Sequence, residues 1–164
     1  MTEQTAQMRA LEPVAVAAGE GEARWWGPGL AEVKTTAAET NGRMTILEIT
    51  DPPNTQAPLH VHHQDDEGFW ILEGSATFEV GDETFEVRAG DYLFGPRDIP
   101  HRYTTGPEGC RMLFIFTPGG FEDLLRAVSV PAERRTLPPA DLVAPTPSAR
   151  MQAAIRAHGC EILD

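Results

Sequence analysis

The chain has 164 residues, 41% of them hydrophobic, which is one domain's worth of sequence with enough apolar material for a core. Asp and Glu number 25 against 13 Lys and Arg, and the resulting net charge of −12 excludes phosphate backbones and anionic membranes as natural partners. No apolar run approaches the roughly 18 residues of a membrane span, and Met1 to Ala10 is polar, without the charged-then-apolar order of a secretion signal, so the expected location is the cytoplasm.

In chain order, the first dozen residues read as mobile. They open an N-terminal arm, residues 1–30, with four glycines between Glu12 and Gly29 and a Trp25-Trp26 pair that either begins a strand or covers a sheet edge. From Ala31 to Thr117 short β-type runs alternate with turn residues every 8–12 positions or so, the rhythm of a sandwich or barrel. The candidate strands are Ala31–Thr36, Arg43–Ile49, His60–His62, Gly68–Leu72, Ala76–Val80, Thr84–Val87, Tyr92–Phe94, His101–Thr105 and Met112–Thr117. Val80-Gly81-Asp82-Glu83 reads as a two-residue hairpin turn, because Gly81 tolerates positive φ.

The tail, residues 118–164, changes period. Phe121 to Val128 has helical spacing, with acids early and Arg126 late as the helix dipole favours. A Pro-rich connector runs from Leu137 to Pro147. Ser148 then caps a second short helix that carries Met151, Ala154, Ile155 and Ala157 and stops at Gly159. Cys110 and Cys160 are too few for a disulfide framework and read as free thiols.

Three of the five histidines fall in one pattern with a carboxylate: His60-Val61-His62, four residues, Glu67, and, far downstream, His101. Alternate residues of a strand point to one face, so His60 and His62 aim together while His63 aims away. Glu67 lies beyond a polar turn that folds the chain back, and only a barrel returns His101 to the same place. Three imidazoles and a carboxylate suit one divalent transition metal, and Fe, Ni, Co, Mn and Zn all accept such donors. Phosphate loops, His-Glu-x-x-His and Cys-x-x-Cys are absent from the sequence.

These residues resemble both signature motifs of the cupin superfamily, with His60, His62, Glu67 and Gly74 in the first and Gly90, Pro96 and His101 in the second. Asn54 and Asp98 stand where glycine is usual and Thr105 where asparagine is usual; Asn and Asp tolerate the left-handed region better than most residues. The resemblance covers the core, about residues 31–117. It implies an all-β fold, a double-stranded β-helix (jelly-roll) barrel followed by the two short helices, in a single domain spanning 1–164. The stretches Glu67 to Gly74 and Phe116 to Glu122, with Ala157-His158-Gly159, further resemble single-domain quercetin 2,3-dioxygenase-like cupins. A homodimer is implied as well, with Trp25, Trp26 and the C-terminal helix as candidate contacts.

Alternation from Glu67 turns Phe69 and Ile71 inward, and alternation from His101 turns Tyr103 and Thr105 inward. The last strand presents either Phe114 and Phe116 or Leu113 and Ile115. Phe69, Ile71, Tyr103, Phe114 and Phe116 are accordingly the candidate substrate pocket, apolar and partly aromatic. The expected activity is a metal-dependent dioxygenase acting on an enolisable or phenolic small molecule with O₂, with Glu67 as metal ligand and general base. Two alternatives use the same site: a non-redox cyclase, isomerase or lyase with the metal as Lewis acid, and a non-enzymatic small-molecule-binding cupin.

Overall fold

The computed structural model describes residues 10–142 and 148–164. Most of the segment expected to be mobile, and residues 143–147 of the Pro-rich connector, lie outside the described residues. Ten strands and two helices follow in order: β1 (Glu22–Trp26), β2 (Gly29–Thr35), β3 (Thr45–Asp51), β4 (His60–His62), β5 (Asp66–Val80), β6 (Glu83–Arg88), β7 (Tyr92–Gly95), β8 (His101–Thr117), α1 (Phe121–Val128), β9 (Val130–Pro131), α2 (Ala149–Ala157) and β10 (Cys160–Ile162). Among the described residues, no helix is long and apolar enough to cross a membrane.

Two long antiparallel strands organise the molecule. β5 and β8 pair from Asp66↔Thr117 to Val80↔His101, with register shifts on either side of Glu73 and Gly74. At that bend the partners change. The first half of β5 pairs with β7, and the last part of β8 pairs with β3, which leads on to β2, β1 and β9. The second half of β5 pairs with β6, and the start of β8 meets β4, which pairs with β10. The two bent strands are thus shared by two sheets that face one another, which is the jelly-roll arrangement.

Seven of the nine expected strands lie within these elements; Ala31–Thr36 runs one residue past β2 and Arg43–Ile49 starts two residues before β3, and two further corrections concern continuity. Gly68–Leu72 and Ala76–Val80 are halves of one strand, as are His101–Thr105 and Met112–Thr117. Glu73-Gly74 and the glycines at 106 and 109 bend a continuous ladder there; they do not end it. Gly74 has φ +75° and lies against the Gly109 carbonyl, so neither backbone leaves room for a side chain. The hairpin expected at Gly81 forms, with Val80 opposite Glu83 and φ +58° at the glycine. Asn54 and Asp98, the two residues standing in for glycine, adopt φ +57° and +66°.

The interior alternates as a barrel wall should. Phe69, Ile71, Phe78, Met112, Phe114 and Phe116 are buried, and they pack with Leu47 and Ile49 of β3 and with Phe121, Leu124 and Leu125 of α1. Phe121 stacks on Phe116 with ring centroids 3.9 Å apart. Glu122, also buried, ties α1 to the barrel by accepting from the Ala37 amide at 2.8 Å and from the Thr45 hydroxyl. The tryptophan pair does lie in a strand. Trp25 is buried and donates to the Thr136 carbonyl at 2.9 Å, while Trp26 packs against Phe121 and Phe114. α2 begins at its expected cap, Ser148, whose hydroxyl accepts from the Met151 amide, and it ends before Gly159 at φ +67°. It packs on α1, with Ala154 and Ile155 against the core. The strand that follows, β10, has no counterpart in the sequence expectations.

Candidate metal centre

The site is assembled where β4, β5 and β8 meet. β4 has three residues, and its alternation buries Val61 on one side and sends both imidazoles to the other. His60 lies opposite His101 in the β4–β8 register, with the rings 4.5 Å apart. Glu67 enters from the second residue of β5, after the turn formed by residues 63–65. Its Oε2 is 3.1 Å from Nε2 of His101 and 3.4 Å from Nε2 of His62. His63 points outward, as alternation requires, and its Nδ1 lies 2.6 Å from Oδ1 of Asp98.

One donor atom from each of His60, His62, Glu67 and His101 lies within 4.8 Å of all the others. Atoms bound to a common ion at about 2.1 Å span at most about 4.2 Å. The observed cluster therefore needs an adjustment of only tenths of an ångström. His62, Glu67 and His101 are buried, and His60 is the partly exposed member. The outer edges of the rings are also occupied. Nδ1 of His60 faces the Pro58 carbonyl at 2.8 Å, and Nδ1 of His101 faces the Ile99 carbonyl at 3.1 Å. In both cases the carbonyl lies two residues back along the chain. A ring that donates from Nδ1 can turn an Nε2 lone pair inward, at His101 once an ion takes the place of the proton that Nε2 shares with Glu67.

For His60 the electrostatics agree with that reading, whereas for His62 they favour the protonated ring, whose proton an ion would have to displace. Burial, reinforced by the neighbouring His101, pushes His60 down to about 4, so its imidazole is neutral at pH 7. Burial would lower His62 too, but the Asp65 carboxylate and the Cys160 thiol beside the ring, with Glu67, raise it to about 11. Burial disfavours the Glu67 carboxylate, yet the hydrogen bond from His101 and the field of the surrounding imidazoles hold its pKa below the ordinary value. Glu67 is therefore an ionised, desolvated carboxylate among imidazoles, and this His-His-Glu-His cluster fits a metal site.

Phe69 and Phe116 flank the cluster, with centroids 6.1 Å from His101 and 5.9 Å from His62 respectively. Phe114, rather than Leu113, shares the inward face of β8 with Phe116. Ile71 is fully buried just before the bend at Glu73-Gly74. Tyr103 is buried too, and its hydroxyl donates to Asp51 at 2.6 Å. Two neighbours of the cluster, Asp65 and Cys160, escaped the sequence reading. Asp65 was visible in principle, three residues after His62 in the turn. Cys160 carries no local signal, because pairing across 98 residues brings it to His62.

Residues 47–116 match the cupin domain family, and the doubly bent barrel around them is consistent with a jelly-roll cupin fold. The chain is similar to quercetin 2,3-dioxygenase of Bacillus subtilis, 26% identical over 127 residues, covering 77% of this chain and 38% of that one. Dimethylsulfoniopropionate lyase DddW of Ruegeria pomeroyi is 32% identical over 103 residues, 62% of this chain and 63% of that one. The chain thus spans less than two thirds of either curated relative. Among solved structures, the polyketide cyclase RemF of Streptomyces resistomycificus superposes with a TM-score of 0.56 at 25% identity, over 65% of this chain and 80% of that one.

Proposed function

We propose that this protein is a metal-dependent dioxygenase acting on an enolisable or phenolic small molecule. The observation that carries the reading is the buried convergence of His60, His62, Glu67 and His101 at the end of an aromatic interior, with the carboxylate ionised. The likeness to a quercetin 2,3-dioxygenase supports it. His60, His62, His101 and Glu67 would hold one divalent ion, and the ion supplies Lewis acidity and a position for O₂ or a substrate oxygen. Glu67 accepts the proton of the substrate hydroxyl or acidic C–H group, because it lies among the ligands, beside the position the substrate oxygen would take. Phe69 and Phe116, buried beside the cluster, exclude water from its inner side. Approach is from the side of His60, the partly exposed ligand. In this reading the protein works in the cytoplasm, as its free cysteines favour. It works there as a homodimer; the exposed Trp70, Tyr92 and Phe94 offer an apolar contact, whereas Trp25 and Trp26 pack within the chain.

The test is reconstitution with Fe, Ni, Co, Mn or Zn, followed by oxygen-electrode assays on a flavonol and on simpler enolisable diketones. Oxygen uptake that needs both metal and substrate, and disappears in Glu67→Gln, is the expected result. Metal-loaded protein that binds none of these compounds and consumes no O₂ removes the dioxygenase reading. The likeness to a cyclase and a lyase favours a second reading, a non-redox reaction on the same ion. Turnover under strict anaerobiosis identifies it, whereas tight ligand binding without turnover identifies a binding protein.

A further inference from the structure

We propose that the C-terminal strand is a working part of the metal centre, in which Cys160, together with Asp65, positions the His62 ring so that its Nε2 faces the donor cluster. The inference rests on the metal-site reading above, and it assigns a role to a segment outside the matched family region.

β4 is too short to hold its own place. Its pairing with β8 is a single residue pair, His60↔His101. Its pairing with β10 covers all three residues, Cys160↔His62, Glu161↔Val61 and Ile162↔His60. The ladder extends past both ends of β4. The His63 amide donates to the Gly159 carbonyl at 2.8 Å and the Leu163 amide to the Leu59 carbonyl at 2.8 Å, while the Leu59 amide donates to the Asp164 carboxylate at 2.9 Å. The strand that delivers two of the four ligands is thus held chiefly by the tail.

The register then sets the contact at His62. Residues directly opposite in an antiparallel pair have adjacent side chains on one face. Cys160 is buried and places Sγ 3.3 Å from Nδ1 of His62 and 3.7 Å from Nε2. On the turn side, Oδ2 of Asp65 lies 2.9 Å from the same Nδ1, close enough for an ion pair though not aligned as a hydrogen bond, and this buried oxygen has no hydrogen-bond partner among the described residues. His60 and His101 have backbone carbonyls at their outer nitrogens, whereas His62 has a side-chain carboxylate and a thiol instead. Removing either loosens the ring about χ2.

The test uses the full chain with Co²⁺ as the probe, reading affinity by competition with a chromophoric chelator and ligand geometry by the visible d–d absorption. Cys160→Ala and Asp65→Asn are each expected to weaken Co²⁺ binding by about 10- to 100-fold and to change the absorption envelope. Their metal-free melting temperatures should stay near that of the parent protein. Cys160→Ser, which restores a polar atom at the ring, is expected to recover part of the affinity. If both variants bind Co²⁺ with unchanged affinity and spectrum, the inference is overturned while the metal centre stands. If the parent chain itself takes up no Co²⁺, both fall together.

Discussion

Tyr103 donates its hydroxyl to Asp51 over 2.6 Å inside the barrel, although 52 residues separate them in the chain. Burial raises the Asp51 carboxyl to about 6, and the hydrogen bond from Tyr103 only partly opposes this. The folded state therefore holds a proton there between its ordinary value of 3.8 and about 6 that the unfolded state has already lost. More protons bound in the native state means that this group's contribution to stability falls as pH rises through that window. Above it, the cost of keeping Asp51 ionised is about 2–3 kcal/mol. Asp51→Asn retains an oxygen for Tyr103 and removes the ionisation. It should match the parent near pH 4 and gain stability relative to it up to pH 7, as read from urea unfolding at several pH values. A variant markedly weaker than the parent at pH 7 would show that the charge is favourable.

Metal loading should stabilise the protein through the four converging donors. At a free ion concentration of about 100 times Kd, linkage gives about 2.7 kcal/mol, or about 5–10 °C in a domain of this size. Differential scanning fluorimetry with Co²⁺ or Ni²⁺ should show that rise in the parent chain. His101→Ala and Glu67→Ala should abolish it, and elemental analysis should find them depleted of metal. An equal shift in His101→Ala would place the ion elsewhere.

Glu122 holds α1 to the barrel with both carboxylate oxygens, one toward the Ala37 amide and one toward the Thr45 hydroxyl. Thr45 in turn accepts from the Gly120 amide at 2.9 Å, just before the helix. Glu122→Ala strands buried donors, so a loss of about 2–4 kcal/mol is expected, with Glu122→Gln losing less. Chemical denaturation of the two variants measures the difference.

Gly74 and Gly90 both have positive φ, but only at Gly74 would an added Cβ meet neighbouring backbone, the carbonyl of Gly109. Gly74→Ala should cost roughly 3 kcal/mol or more, from the left-handed backbone plus the overlap. Gly90→Ala should cost about 1–2 kcal/mol, from the backbone alone. Similar melting temperatures for the two variants would contradict the role given to the β5–β8 bend.

The four clustered donors were legible because each obeys a local rule. His60 and His62 share a strand face, Glu67 follows a polar turn, and His101 begins a β-type run. Asn54 and Asp98 were legible too, as residues that tolerate the left-handed backbone they adopt. The long strands were not. Glu73-Gly74 and Gly106-Pro107 carry the composition of turns, yet each lies in a strand whose partner continues alongside, so the ladder bends and does not end.

What the sequence determined by itself was the donor set, its facing along each strand and the class of barrel needed to gather it. These follow from side-chain chemistry and from alternation over a few residues. The tertiary structure alone decided that Phe114 and Phe116 face inward, that Tyr103 is engaged by Asp51, and that β10 returns to hold β4 and bring Cys160 to His62. Strand partners separated by many tens of residues are selected by complementarity of whole surfaces, and a short window of sequence contains no record of the surface it will meet.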